Sequence, residues 1–424
     1  MKEKKKLFLI FILAFLLRIF LLPLFTHGDV ENHVIWGTWA KQFGFGGYYD
    51  FLNFFNYARP NQPPLTIILY TVIKYFSDFI FSILWFLNVK IPIFPSNFVS
   101  WYESYGYLSL LKFPAIISDL VLGFLIYKIS LKTKFKKPLA LASLYLFNPI
   151  SWFNSVVWGQ TDSVLFLLGF SSIYLIFQNY LYLGVLLFAL TFMFKASFVI
   201  FAPMILVIIL KKKIKIKKIL VSFLIFLVTV FVIAKPFSVG PTFIWLYNLY
   251  TKVIVTGELH VLSANAFNIW YLLFKDPLLL DKTKILGISS YLMGNIMFLL
   301  SLIFPIKKLY KKLDLKSFLF TFVIIGFTSF WFLTRMHERY LYPVFIPLLL
   351  LSVFNKKFKC LYIYLSFLNL INMYNGWWIP KIPFLINIVE KTYIQRFISI
   401  MYFLIFVLVI NIFMKNKKLN EKNI

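Results

Sequence analysis

Apolar positions in this chain fall in long uninterrupted runs separated by short polar breaks, and not in the narrower stripes of a water-soluble helix. Many runs approach the ~20 residues that carry a helix across ~30 Å of hydrocarbon. The alternating ten-residue segments of a membrane β-barrel do not dominate. The pattern therefore predicts an all-α polytopic membrane protein, a bundle of about twelve transmembrane helices. The spans read at 7–25, 108–128, 138–153, 162–178, 181–194, 196–210, 219–235, 285–305, 317–333, 340–354, 359–374 and 393–414. Two stretches read as large loops. The first, 26–107, contains an apolar run at 65–87 that fits a re-entrant helix, an interfacial helix or an additional helical pair. The second, 236–284, holds Trp245, Glu258, His260 and the run SANAFNIW. Residues 1–424 read as one transmembrane domain without a solenoid repeat. Segment 7–25 is longer than a signal-peptide core and lacks a small-residue cleavage site, so it reads as a retained anchor.

Composition agrees: 61% of residues are hydrophobic and 14% charged, with mean hydropathy +0.83. The net charge of +29 would fit a nucleic-acid binder if the charge formed a surface. Instead the lysines cluster at 2–6, 132–137, 211–218, 307–316, 356–359 and 415–422, between apolar runs. Short basic loops mark the cytoplasmic face and suit contact with anionic lipid. The bilayer, and no nucleic acid, is the expected partner of this charge. Both termini are then expected in the cytoplasm of a multi-pass cell-membrane protein. The same parity puts Asp29, Glu31, Glu103, Asp162, Glu258, Arg335, His337, Glu338 and Arg339 on the extracytoplasmic side, leaving most span interiors without charge. The single cysteine, Cys360, cannot form an internal disulfide and reads as a packed apolar residue; no Cys/His metal spacing occurs.

Five polar constellations stand out. In GDVENH, 28–33, Asp29 is a general-base candidate if it reaches an acceptor hydroxyl; equally, it is an acid opening an amphipathic helix. Asn61 and Gln62 precede Pro63-Pro64 and can hydrogen-bond a sugar or simply form a turn. Gln160 and Asp162 flank a helix start in WGQTDS, where Asp162 can be a cap. Lys195 is a lone lysine at the outer edge, suited to a phosphate or to snorkelling. In MHERYLYP, 336–343, preceded by Arg335, two arginines and His337 can neutralise a leaving phosphate, or the cluster can pair internally with Glu338. Walker A, GxGxxG, HExxH, GxSxG and DxD motifs are missing.

Taken in order, these motifs resemble the GT-C superfamily of polyprenyl-phosphate-sugar-dependent glycosyltransferases. The similarity is to the prokaryotic mannosyltransferases related to GPI mannosyltransferase II and to the dolichyl-phosphate-glucose glucosyltransferases. The family's GDYE-type first loop matches Gly28-Asp29-Val30-Glu31. Its YPPL-type segment matches Gln62-Pro63-Pro64-Leu65, with Gln62 in place of Tyr. Its NP…WGQxDS run matches Asn148 to Ser163, its helix-edge FK matches Phe194-Lys195, and its HEK or HER motif matches His337-Glu338-Arg339 with Pro343. The landmarks cover roughly residues 7–350.

What the resemblance implies is an inverting transfer of one hexose, with mannose the expected sugar, from a polyprenyl-phosphate donor to a glycan, glycolipid or protein hydroxyl. Asp29 would deprotonate the acceptor. Lys195, His337, Arg339 and Arg335 would face the departing phosphate, and Glu31, Asn61, Gln160, Asp162 and Glu338 would orient sugar or acceptor. The scheme requires no cofactor and assigns no metal ligand, though Asp29 and Glu31 are compatible with a divalent ion. Two other readings carry different expectations. A flippase or transporter would place ionisable groups near the bilayer midplane. A polymer ligase or polymerase would also face outward but use a lipid pyrophosphate.

Overall fold

The computed structural model describes residues 2–50, 58–257 and 259–420, so Glu258 lies outside the described residues. Of the described residues, 76% are helical. Among the described residues, six helices are long and apolar enough to cross a membrane: Pro64–Lys90, Ser96–Lys132, Ile216–Ala234, Ser290–Lys311, Leu315–Phe332 and Thr392–Lys415. Shorter apolar helices lie at Asp162–Phe177, Leu181–Phe194 and Ala196–Lys211. The protein is thus a helical, membrane-embedded chain.

Several boundaries differ from the hydropathy reading. The first helix runs Lys2–Leu21 and takes the basic cluster into its opening turns. The apolar run at 65–87 is one continuous 27-residue helix, Pro64–Lys90, opened by Pro63 and Pro64. A turn then leads into Ser96–Leu111, continued across Lys112 by Phe113–Lys132, so the large first loop is mostly helix. The span expected at 138–153 is not one rod. Helix Pro138–Leu146 stops, Asn148 Oδ1 accepts from Ile150 N at 3.1 Å, and Pro149 opens a new start. Cys360 is exposed, on the outward side of its helix, and not packed inside.

The chain folds into two compact units. The first comprises Met1–Leu122, Ser151–Val199 and Ile214–Glu258. Its core packs Val30, Trp36 and Ala40 of helix Gly28–Phe43 against Ile67 and Tyr70, with Ala189, Met193, Val230 and Phe237 from later elements. Gly37 makes this approach possible: a Cβ there would lie 2.9 Å from the Tyr70 carbonyl oxygen. Tyr49 is buried in the same layer; its hydroxyl donates to the Gln62 carbonyl at 2.6 Å. Burial, then the neighbouring Tyr48 and Tyr250, push the Tyr49 phenol well above its ordinary pKa, so it remains a neutral donor.

The second unit comprises Gly123–Ile150, Ile200–Lys213 and Leu259–Ile424. Its centre is helix Leu315–Phe332, whose buried face stacks on the final helix through Phe320 and Phe413 (ring centroids 3.7 Å apart) and Phe327 and Phe406 (5.0 Å). Segment 259–289 folds onto its end. Strand Ser263–Ala264 pairs in parallel with Met336–His337, and Asn372 grips the loop by donating to Asn265 O at 2.6 Å and accepting from Phe267 N at 3.1 Å. Arg335, at φ +63°, turns its backbone N–H to Val261 O (3.1 Å) and its Nε to Asp281 Oδ2 (2.6 Å). Asp281 is almost fully buried. Asp281→Ala would strand the guanidinium beside this loop, and loosening of 259–289 by about 3–5 kcal/mol is expected. Hydrogen exchange of the Val261–Arg335 amides measures it.

Candidate active site

Four residues singled out from sequence meet in the first unit. Helix Gly28–Phe43 begins with His27 as its N-cap, in extended conformation, and His27 Nδ1 accepts from Asp29 N at 3.0 Å. An imidazole thereby does the work usually given to Ser or Asp. That frees the Asp29 carboxylate to point elsewhere while remaining in the first turn, where the helix dipole favours a negative charge. Gln160 Nε2 donates to Asp29 Oδ2, and His27 Nδ1 lies 3.5 Å from the same oxygen. The carboxylate is partly exposed, so a hydroxyl can reach it.

Gln160 arrives by an unusual path. After Pro149–Trp152 the backbone widens into a π-helical turn, Phe153–Trp158, and ends at Gly159 in the left-handed region (φ 81°, ψ 29°). Gly159 is required twice over: its φ disfavours a side chain, and a Cβ would lie 2.5 Å from Val30 Cγ2. Gly159→Ala is expected to cost about 1–3 kcal/mol from left-handed strain and overpacking, and to separate Gln160 from Asp29. Thermal unfolding checks the first effect.

Two residues on, Asp162 opens helix Asp162–Phe177 and is nearly buried. It receives Lys195 Nζ on Oδ1 at 3.1 Å and Asn154 Nδ2 on Oδ2 at 3.3 Å. Lys195 leaves the helix line because it is the C-cap of Leu181–Phe194, in extended conformation, held by its N–H to Thr191 O at 2.9 Å. Asp29 with Gln160 and Asp162 with Lys195 are two bonded pairs, joined through Asn154, whose carbonyl accepts from Gln160 N at 2.9 Å and whose Nδ2 donates to Asp162. Tyr70 adjoins them, within electrostatic reach of both Asp29 and Asp162. Its ring stacks on His33 with centroids 4.5 Å apart, and its hydroxyl donates to Gln62 Oε1 at 3.3 Å.

Other candidates are placed differently. Glu31 is exposed on the same first turn as Asp29. Asn61 Nδ2 donates to Gly257 O at 3.4 Å, a loop contact. Arg335, His337, Glu338 and Arg339 belong to the second unit. There Glu338 is buried, accepts from Arg339 NH1 at 3.1 Å and lies 4.0 Å from His337 Nδ1. The internal pairing foreseen as the plainer reading of this motif is present, and Arg335 is engaged by Asp281. Burial first, then the charges of Glu338 and Asp276, raise the pKa of the nearby Tyr271 phenol above its ordinary value. The His337 ring stays partly exposed, T-shaped against Tyr340 at 5.1 Å.

Asn154 is the participant that sequence reasoning passed over. It lies within the NP…WGQxDS run but outside its motif letters; a buried amide eight residues before a buried Asp is its only signal. Its Oδ1 is buried and has no hydrogen-bond partner among the described residues. Among the described residues, no three His, Cys, Asp or Glu side chains come together in a way that could hold a metal ion. No family model matches the chain, and no curated protein matches it.

Proposed function

We propose that this chain is an integral-membrane inverting glycosyltransferase of the GT-C kind, moving a hexose, mannose foremost, from a polyprenyl-phosphate donor to an acceptor hydroxyl on the extracytoplasmic face. The observation that carries the reading is the Asp29–Gln160 pair joined through Asn154 to the Asp162–Lys195 pair, with a partly exposed carboxylate at one end and a cation at the other. Asp29 takes the proton of the acceptor hydroxyl. The alkoxide-like oxygen attacks the anomeric carbon through an oxocarbenium-like transition state, as in glycoside hydrolysis. The polyprenyl phosphate departs with the bonding electron pair. Gln160 orients Asp29 through a single hydrogen bond, and Asp162 fixes the height of the Lys195 ammonium, which meets the phosphate charge. His337 and Arg339 belong to the second unit, and their assignment to a donor phosphate is what the resemblance implies.

A fixed cation facing a developing negative charge contributes roughly 3–4 kcal/mol in comparable sites. Motifs of one parity, all outside the lysine-rich loops, support the outward orientation. The test is direct. Purified protein is incubated with polyprenyl-phosphate-mannose or polyprenyl-phosphate-glucose and a panel of acceptors, and released lipid phosphate is followed. Release that depends on acceptor supports the reading. Transport of intact donor without bond cleavage would move the assignment to a flippase, and use of a lipid pyrophosphate alone would move it to a ligase.

A further inference from the structure

The hydropathy pattern left most span interiors without charge, yet among the described residues Arg18, Lys112 and Asp119 are buried within expected spans, and two of them pair. Arg18 in helix Lys2–Leu21 and Asp119 in helix Phe113–Lys132 are both fully buried. Arg18 Nε donates to Asp119 Oδ2 at 3.1 Å, Arg18 NH1 to Ala14 O at 3.1 Å, and Arg18 NH2 to Ser151 Oγ at 3.2 Å. Ser155 Oγ donates to Asp119 Oδ2 at 2.6 Å and lies 3.0 Å from Ser151 O. Sequence reasoning missed the pair because each charge sits alone in an apolar run, a hundred residues from its partner.

A buried ion pair is a poor stabiliser: well-packed apolar residues often do as well or better. Such a pair can instead fix an arrangement, and here each of its members bonds a serine of the segment 149–158, Arg18 to Ser151 and Asp119 to Ser155. Ser151 and Ser155 lie on the two sides of Asn154, at the mouth and within the wide turn Phe153–Trp158. Such turns are uncommon and recur at functional sites. This one holds Asn154 against Asp162 and, through Gly159, Gln160 against Asp29. An ordinary α-helical register over the same residues would rotate Asn154 and Gln160 relative to both carboxylates. Val156, next to Ser155, packs with Leu22, just past the end of helix Lys2–Leu21, and with Ile116 of helix Phe113–Lys132.

We propose that Arg18, Asp119 and Ser155 are positioning residues: the buried pair locks the Phe153–Trp158 turn in the register that joins Gln160 to Asp29 and Asn154 to Asp162. The kinetic consequence rests on the glycosyl-transfer reading; the geometric one does not.

Ser155→Ala is the informative variant, because it removes one donor and leaves the ion pair intact. Full-length protein in lipid nanodiscs serves for both measurements. In transfer from polyprenyl-phosphate-mannose, kcat is expected to fall about tenfold, as for a misplaced catalytic group, with donor KM within about twofold. Gln160→Ala is expected to fall comparably, and Ser155→Ala added to it to cause a clearly smaller further loss than in the wild-type background, through Asn154 alone. Equal losses in both backgrounds would overturn the proposal. The second measurement needs no activity. In a Cys360→Ser background, Thr161→Cys places a thiol at a position 3% exposed. Ser155→Ala should speed its alkylation by a maleimide severalfold and leave a control thiol at Leu286→Cys, 93% exposed, unchanged. Unaltered alkylation at 161 overturns the positioning role whatever the reaction. A wild-type protein without transfer activity removes the functional reading, while the alkylation result still decides this one.

Discussion

Asp29→Asn is expected to lower the transfer rate by about a thousandfold, within the 10²–10⁴ range that a positioned base contributes, while the protein melts as the wild type does. The asymmetry follows from the local geometry. Asp29 is tied to the fold by its backbone N–H, which donates to His27 Nδ1, and that bond survives the substitution. The Asn side chain can turn its carbonyl oxygen toward Gln160 Nε2 and preserve the second bond. What disappears is the basic oxygen and the charge on the helix's first turn, the latter worth at most about 1 kcal/mol at a partly exposed site. Released lipid phosphate per unit enzyme measures the rate, and thermal unfolding in the same detergent measures the fold. Turnover at the wild-type level would strike Asp29 from the mechanism, and a lowered melting temperature would mean that its charge serves the helix start.

The second large effect concerns Lys195 and Asp162. Lys195→Met should destabilise the first unit by about 3–5 kcal/mol, because it leaves a nearly buried carboxylate without its counter-charge. The double variant Asp162→Asn with Lys195→Met removes both charges and should recover most of that stability. It should not recover transfer, because the ammonium that meets the phosphate is still missing. The two readouts thus separate a structural ion pair from a functional cation. Recovery of both stability and transfer in the double variant would make the pair purely structural.

Much of the helical framework was legible in the sequence because burial in lipid demands long apolar runs. Helices Asp162–Phe177 and Leu181–Phe194 fall within a residue of the apolar pattern, each bounded by polar residues. Pattern failed where backbone chemistry cut across it. The run through 138–153 is apolar throughout, yet Asn148 and Pro149 divide it, and hydropathy cannot register a side-chain cap. The site was legible where a motif residue binds another: Asp29 with Gln160, and Asp162 with Lys195. It was illegible where a residue serves through its backbone or an amide, as with His27 and Asn154. Arg335 is a related case. A guanidinium beside a motif looks available in one dimension, and only the fold brings Asp281, fifty-four residues earlier, against it.

The 27 residues of helix Pro64–Lys90 imply a rod about 40 Å long, well beyond the ~30 Å hydrocarbon core of an ordinary bilayer. Excess length of this kind is absorbed by tilt or by local thickening of the lipid. The same rod carries Tyr70 beside Asp29 and Asp162, six residues past its first. If this rod crosses the bilayer, its tilt would change with acyl-chain length, and Tyr70 beside the polar residues would make activity in nanodiscs of graded thickness a readout of that tilt.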